Sequence, residues 1–390
     1  MKEVYIIAAK RTPIGGLLGN LSHLSATQLG ALAIKNAYES IGLDVSLIDS
    51  VYIGNVLSAN LGQAPARQAA IFAGIPNDKD ATTVNKVCAS GMKATALGAQ
   101  QIQLGLEHII VTGGMESMSN APHYAQLRKG NKLGDVTLID GMKKDGLWDV
   151  YNDFHMGNAA EIGVRKYGLT RAMLDDYAVQ SYQKAAIATK NGKFKNEMIP
   201  ISIEQKNGTL VIDSDEDIDK IILDKVSKLK PTFEKEGSLT AANSSNLNDG
   251  AAALILASKE AVEKYNLKPI AKILAYADAA QAPEWFTTAP AIAIPKVLKQ
   301  ANLSLNDIDF FEINEAYASV ILSNQQILGL DLNKVNVYGG AVAMGHPIGA
   351  SGARIIATLI SVLKQEGGKY GVAAICNGGG GASAMVIENV

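Results

Sequence analysis

The stretch AYESIGLDVSLIDSVYIGNV, residues 37–56, aligns without a gap on VLKQANLSLNDIDFFEINEA, residues 297–316. Leu43 falls on Leu303, Ile48 on Ile308, Asp49 on Asp309 and Ile53 on Ile313. Each copy reads as a helix end, a short turn, an Ile-Asp pair and a strand. Four identities in twenty positions are weak alone, but the order of elements persists downstream. Ser90-Gly91-Met92-Lys93-Ala94 opens a helix in one half and Ser351-Gly352-Ala353-Arg354 in the other. Each helix leads into an apolar strand read as ending in glycines, at Gly113-Gly114 and at Gly378-Gly379. A repeated supersecondary unit of this kind predicts a duplicated body.

Around these anchors the N-terminal part alternates strands and helices. Strands are expected at 4–9, 50–53, 84–87 (running into Cys88) and 108–112, and helices at 26–41, 63–73 and 91–104. Ser25 is placed to cap the first helix. Such alternation predicts an α/β fold, a parallel or mixed sheet covered on both faces. Between the halves, residues 119–248 are more polar and carry the acidic run Asp213-Ser214-Asp215-Glu216-Asp217. Residues 122–156 show little periodicity and read as an inserted layer of loops and helices, a functional cover or a solvated hairpin.

The composition excludes several classes. With 390 residues, 47% hydrophobic and 19% charged, the chain is globular rather than disordered. Lys plus Arg number 36 against 38 Asp plus Glu, a net charge of -2 that argues against a nucleic-acid partner. No apolar run approaches the roughly 18–20 residues needed to span a bilayer, so no membrane is expected. The opening apolar stretch is too short for a secretion signal, and the expected location is cytoplasmic. Two cysteines are no disulfide framework, and the five histidines share no metal-ligand spacing, so no metal is expected.

Four places are suited to chemistry. Cys88 lies where a strand gives way to a helix, and a helix N-terminus is expected to lower its thiol pKa. His346 stands in the glycine-dense Gly345-His346-Pro347-Ile348-Gly349 before a helix. Cys376 precedes Asn377 and four glycines from Gly378, whose freed N–H groups suit an anion. Asn314 ends a strand, where it serves as a turn former or as an oxyanion donor. One thiol as nucleophile, a histidine to take its proton and a second thiol in an oxyanion-competent loop form a coherent set. No phosphate-binding glycine fingerprint accompanies them.

The segments Asn85 to Gly91, Gly113 to Ser119, Asn243 to Gly250, Asn314-Glu315-Ala316-Tyr317-Ala318 and the two loops of His346 and Cys376 resemble the thiolases, in their acetyl-CoA acetyltransferase branch. The resemblance covers essentially the whole chain with motif order preserved. It implies a thiolase fold, duplicated βαβαβαββ halves in a five-layer α/β/α/β/α body with an inserted loop domain. The implied division is 1–118 plus 249–267, the insertion 119–248, and 268–390. It implies a ping-pong Claisen condensation of two acetyl-CoA to acetoacetyl-CoA and CoA, with the reverse thiolysis. Cys88 would carry the acyl group, His346 activate it and Cys376 move the α-proton. Asn314, through a water, would join His346 on the enolate oxygen, and Gly378 N–H would join Cys88 N–H on the tetrahedral intermediate. Ser245, His155 and Met156 would meet the pantetheine and acyl groups. Coenzyme A enters as substrate, with no resident cofactor. Residues 122–147 resemble the loop through which related enzymes form a homotetramer. Where relatives carry an arginine for the adenosine phosphates this chain has Asp219 beside Lys220, so no phosphate ligand is assigned. Two other readings are a broader-chain 3-ketoacyl-CoA thiolase of β-oxidation and a non-catalytic acyl-CoA-binding protein. A decarboxylating ketosynthase is disfavoured, because a second histidine would stand at Cys376.

Overall fold

The computed structural model describes residues 2–205 and 208–390. The first half runs β1 (Val4–Arg11), α1 (Ala26–Glu39), β2 (Ser50–Gly54), α2 (Pro65–Phe72), β3 (Asp80–Val84), α3 (Ser90–Leu104) and β4 (Ile109–Ser117). A long segment carrying α4 (Met156–Lys166) and α5 (Arg171–Lys190) then leads to β5 (Asn248–Ser258). The second half follows as β6 (Ala271–Ala280), α6 (Pro290–Ala301), β7 (Phe310–Ile313), α7 (Ala318–Leu328), α8 (Ile348–Glu366), β8 (Tyr370–Asn377) and β9 (Gly381–Asn389).

The strands form one hydrogen-bonded sheet in the order β7-β8-β9-β6-β1-β5-β4-β2-β3. Parallel pairs lie toward each end, β2 with β3 and β4, and β7 with β8; the central pairings are antiparallel. The halves therefore meet edge to edge at β1 and β6, through the pairs Val4–Ile273, Tyr5–Lys272 and Ile6–Ala271. In the second half the counterpart of β3 shrinks to one parallel bridge, Phe311 with Val335.

Why Asp49 and Asp309 recur is now visible. The Asp49 carboxylate accepts from His108 N at 2.7 Å and Ile109 N at 2.9 Å, starting β4 beside β2. Asp309 accepts from Lys369 N at 2.7 Å and Tyr370 N at 3.0 Å, starting β8 beside β7 in the same way. The short turns ahead of them, Val45–Leu47 and Leu305–Asp307, also coincide. Ser25 caps α1 as expected, exchanging hydrogen bonds with Gln28 in a capping box, and Leu29, Ala33, Ile34 and Ala37 bury the apolar stripe.

Helices α1 and α2 cover the outer face of the first half, α6 and α7 that of the second, and α3 with α8 fill the space between. This is the expected five-layer arrangement. The central helices nearly touch. A Cβ on Gly91 would lie 2.8 Å from Ala353 N, and one on Gly352 would lie 2.5 Å from Met92 N. Glycine at both crossings brings the N-terminal ends of α3 and α8 side by side.

Three sequence readings need correction. The strand before Cys88 lies earlier, ending at Val84, so Cys88 sits in a turn. Gly113-Gly114 lies inside β4 rather than at its end, because a Cβ there would strike Ala252 O or Gly349 O at 2.2 and 2.1 Å. Helix α8 starts at Ile348, three residues before the expected Ser351, which sets His346 directly at its mouth.

Candidate active site

Cys88 is presented by a strained turn. Val87 has φ +48°, a left-handed conformation costing a β-branched residue about 1–3 kcal/mol. Ser90 holds it by donating to Val87 O at 2.6 Å and accepting from Lys86 N at 2.8 Å. Lys86 Nζ in turn reaches Asp278 at 2.6 Å. The N–H groups of Gly378 and of Cys88 itself act on the Cys88 sulfur, yet burial outweighs them and pushes the thiol up to about 12. The lowered thiol expected from a helix N-terminus is therefore absent. Cys88 stands before the N-cap Ala89, outside the first turn of α3, and desolvation of the thiolate dominates.

His346 is fixed through its backbone and one ring nitrogen. Its backbone N donates to Asn248 Oδ1 at 2.9 Å, and its Nδ1 lies 2.6 Å from Ser351 Oγ, one turn into α8. The Ser351 hydroxyl donates to Pro347 O at 3.0 Å, so it accepts from the ring, assigning the proton to Nδ1. Nε2 is then a bare acceptor, buried and without a partner among the described residues. Burial, with the Arg354 charge second, pushes His346 down to about 3, so the imidazole is neutral at rest.

Cys376 and Asn314 lie behind this surface, 0% and 1% exposed. Burial and then the Cys88 sulfur push the Cys376 thiol well above its usual range, which puts the two sulfurs within electrostatic reach. Asn314 is anchored by its N–H to Ala374 O at 2.9 Å. Its Nδ2 approaches His346 Nδ1 at 3.5 Å, and its Oδ1 accepts from Arg354 Nη2 at 3.4 Å.

A cavity of about 580 Å³ opens onto Cys88, His346 and Gly378, and Ser245, His155 and Met156 also line it. Six of the eight residues singled out thus face one space. Ser245 Oγ donates to Ala316 O at 3.0 Å, and His155 caps α4 by accepting from Gly157 N at 3.0 Å. The His155 ring stacks on Phe233 with centroids 5.0 Å apart. Sequence reasoning passed over Phe233, Tyr317 and Met118 in the wall and the roles of Ser351 and Asn248. Of these, Ser351 had a signal, since it sits on the helix that follows His346.

Glu116 ties the halves together at the site. It is fully buried and accepts from Asn55 Nδ2, Val56 N, Leu57 N and Gly349 N at 2.9–3.1 Å. Gly349 lies in the first turn of α8, so this carboxylate of β4 anchors the helix that follows His346. Among the described residues no cluster of three or more His, Cys, Asp or Glu side chains is disposed to hold a metal ion. No described helix is long and apolar enough to cross a membrane.

A thiol beside two N–H groups, a neutral imidazole with a free acceptor nitrogen and a second thiol within electrostatic reach are the equipment of covalent acyl transfer. Residues 4–260 match the family description "Thiolase, N-terminal domain" and residues 267–389 match "Thiolase, C-terminal domain". The chain is 54% identical to acetyl-CoA acetyltransferase 2 of Arabidopsis thaliana, over 99% of this chain and 97% of the relative. It is 52% identical to the cytosolic acetyl-CoA acetyltransferase ERG10 of Gibberella zeae, over 100% and 99%. It superposes on the Acat5 thiolase of Ascaris suum in complex with coenzyme A with TM-score 0.95, 48% identity and all of both chains covered. Human mitochondrial 3-ketoacyl-CoA thiolase gives TM-score 0.97 at 39% identity, over 100% and 99%. The chain belongs to the thiolase family and is an acyltransferase.

Proposed function

We propose that this thiolase is an acetyl-CoA C-acetyltransferase, joining two acetyl-CoA into acetoacetyl-CoA and free CoA and running the reverse thiolysis. The single observation that carries the reading is the shared cavity in which Cys88, Gly378 and His346 converge. Thiol and imidazole are both neutral at rest, so the Cys88 proton passes to His346 Nε2 as the sulfur attacks the thioester. The tetrahedral oxygen is held by the N–H groups of Cys88 and Gly378. The C–S bond to CoA breaks, Cys376 gives its proton to the departing sulfur, and the acetyl group stays on Cys88. A second acetyl-CoA then loses its α-proton to the Cys376 thiolate. Its enolate oxygen faces protonated His346 and the Asn314 amide. The carbanion attacks the acetyl carbonyl, and Cys88 leaves, regaining its proton from His346. Losing one such oxyanion donor costs roughly 3–4 kcal/mol.

Ser245, His155 and Met156 are read as the wall for the pantetheine and acyl end, and coenzyme A is a substrate rather than a resident cofactor. Phe286 and Tyr317, edge to face with centroids 6.2 Å apart, crowd the cavity and favour a short acyl chain. We read residues 1–118 with 249–267 as one half, 268–390 as the other and 119–248 as the inserted domain, which the β1–β5–β4 pairing favours. The assembly is a homotetramer in this reading, supported by the exposed Leu127, Leu133, Val136 and Leu138 on the loop that links α3's half to α4. A cytoplasmic location is favoured by the cytosolic relative. Steady-state thiolysis tests the chain length. Acetoacetyl-CoA should be cleaved faster than a longer 3-ketoacyl-CoA, and equal or better rates on the longer substrate would favour the broader-chain thiolase.

A further inference from the structure

Behind the Asn314–His346 pair lies a buried guanidinium with an unusual set of partners. Arg354, on α8, is 2% exposed, yet its Nε and Nη1 have no hydrogen-bond partner among the described residues. The one hydrogen bond its side chain makes there goes from Nη2 to Asn314 Oδ1 at 3.4 Å. Its closest counter-ion is Glu312, two residues before Asn314 on β7, at 3.9 Å from Nη1. Nothing in this geometry resembles a structural ion pair satisfied for stability, as Arg11 is. Arg11 binds Asp215 through Nη1 and Nη2 at 2.7 and 3.0 Å and Glu197 at 2.6 Å. A buried cation left under-satisfied costs stability, and it is tolerated where its field or its single contact serves another purpose.

We infer that Arg354 is a positioning residue for enolate formation: through Asn314 Oδ1 it fixes which way the amide points, and it supplies a fixed positive charge behind the enolate oxygen. This role rests on the acetyltransferase reading above. An amide can flip between two orientations of nearly equal shape. With Oδ1 held by Arg354, Nδ2 is the atom left toward His346 and the oxyanion. The charge acts in a dry interior, where preorganised positive groups count most. It also disfavours a proton on resting His346. The other charged groups packed around Arg354 are Glu312, Glu197, Asp215 and Arg11, with Glu315 and Lys184 reaching it through Glu312. Burial pushes the Glu312 carboxyl up while the Arg354 charge pulls it down, so the two groups titrate together.

The test compares two steps of one enzyme. Release of deuterium from deuterated acetyl-CoA reads enolate formation, and acetylation of Cys88 reads the first half-reaction. Arg354→Met strands Glu312, so the decisive variant is the double Glu312→Gln with Arg354→Gln, which removes both charges and keeps polar groups of similar size. At about pH 8 the double variant should lose exchange by about tenfold to a hundredfold while acetylating Cys88 within about threefold of wild type. Arg354→Lys should recover most of the exchange. The acid limb of thiolysis should move up by about one pH unit in the double variant, because His346 then protonates more easily and its basic form is the one required. Wild-type exchange in the double variant, or equal losses in both steps, overturns the inference. A wild-type protein that fails to acetylate Cys88 overturns the acetyltransferase reading, and the Arg354 role with it.

Discussion

Replacing Ser351 by alanine tests the histidine proposed to serve both half-reactions. The hydroxyl sits 2.6 Å from His346 Nδ1 and is anchored to Pro347 O, so it accepts the ring proton and leaves Nε2 bare. Ser351 is fully buried, and its loss strands the Nδ1 proton in the interior. An unsatisfied buried N–H costs about 1–3 kcal/mol. The ring escapes part of this penalty by moving the proton to Nε2, the form that cannot accept from Cys88. A tautomer bias of about 1.4 kcal/mol lost in this way lowers the competent fraction about tenfold. Ser351→Ala should therefore remain folded with a lower Tm and lose about tenfold in kcat/KM for thiolysis. Acetylation of Cys88, followed by rapid quench, should slow by the same factor, because the base acts in that step. Wild-type acetylation by a folded Ser351→Ala protein would refute the tautomer assignment.

Cys376→Ala should still take an acetyl group onto Cys88, more slowly because the departing CoA sulfur loses its proton donor, while failing to condense; acetylation lost with the α-proton exchange intact would mean the two thiols are reversed. Gly378→Ala should fold normally, since a Cβ there meets only Val87 and Met156 at 3.6–3.8 Å, yet its methyl beside the cavity should raise KM and lower the acetylation rate. An unchanged KM and acetylation rate would mean that the Gly378 backbone does not border the acyl end of the cavity. Asp278 is held well below the usual carboxylate range, against its own burial, by Lys86, Lys93 and Ser383. Its stabilising share is present above the unfolded pKa and lost as pH falls through the depressed folded value. Asp278→Asn should thus flatten the acid side of a stability–pH curve and loosen the Cys88 turn through Lys86, and a curve unchanged in shape would contradict this.

How far the sequence carries depends on what each residue senses. The Ile48-Asp49 and Ile308-Asp309 pairs exposed the duplication because the same residues recur at the same spacing in both halves, although the strand each one starts lies about 60 positions further along the chain. The residues proposed as reactive were legible from their setting: Cys88 and His346 each stand two residues before a central helix, among small neighbours. Gly113 and Gly114 misled, since glycine there serves close approach by Ala252 and Gly349 from distant parts of the chain. The thiol pKa misled too, because burial by the assembled body outweighs the Gly378 and Cys88 N–H groups that favour the thiolate. Arg354 and Glu116 were silent in one dimension. Their meaning lies in contacts to residues 40 to 233 positions away.

In the proposed reaction Cys88 carries the acyl group. Wild-type protein mixed with labelled acetyl-CoA, quenched in acid, digested and mapped by mass spectrometry reads this directly. One acetyl group on the peptide containing Cys88, and none in a Cys88→Ser control, is the result expected. Label on Cys376, or on no cysteine at all, would contradict it.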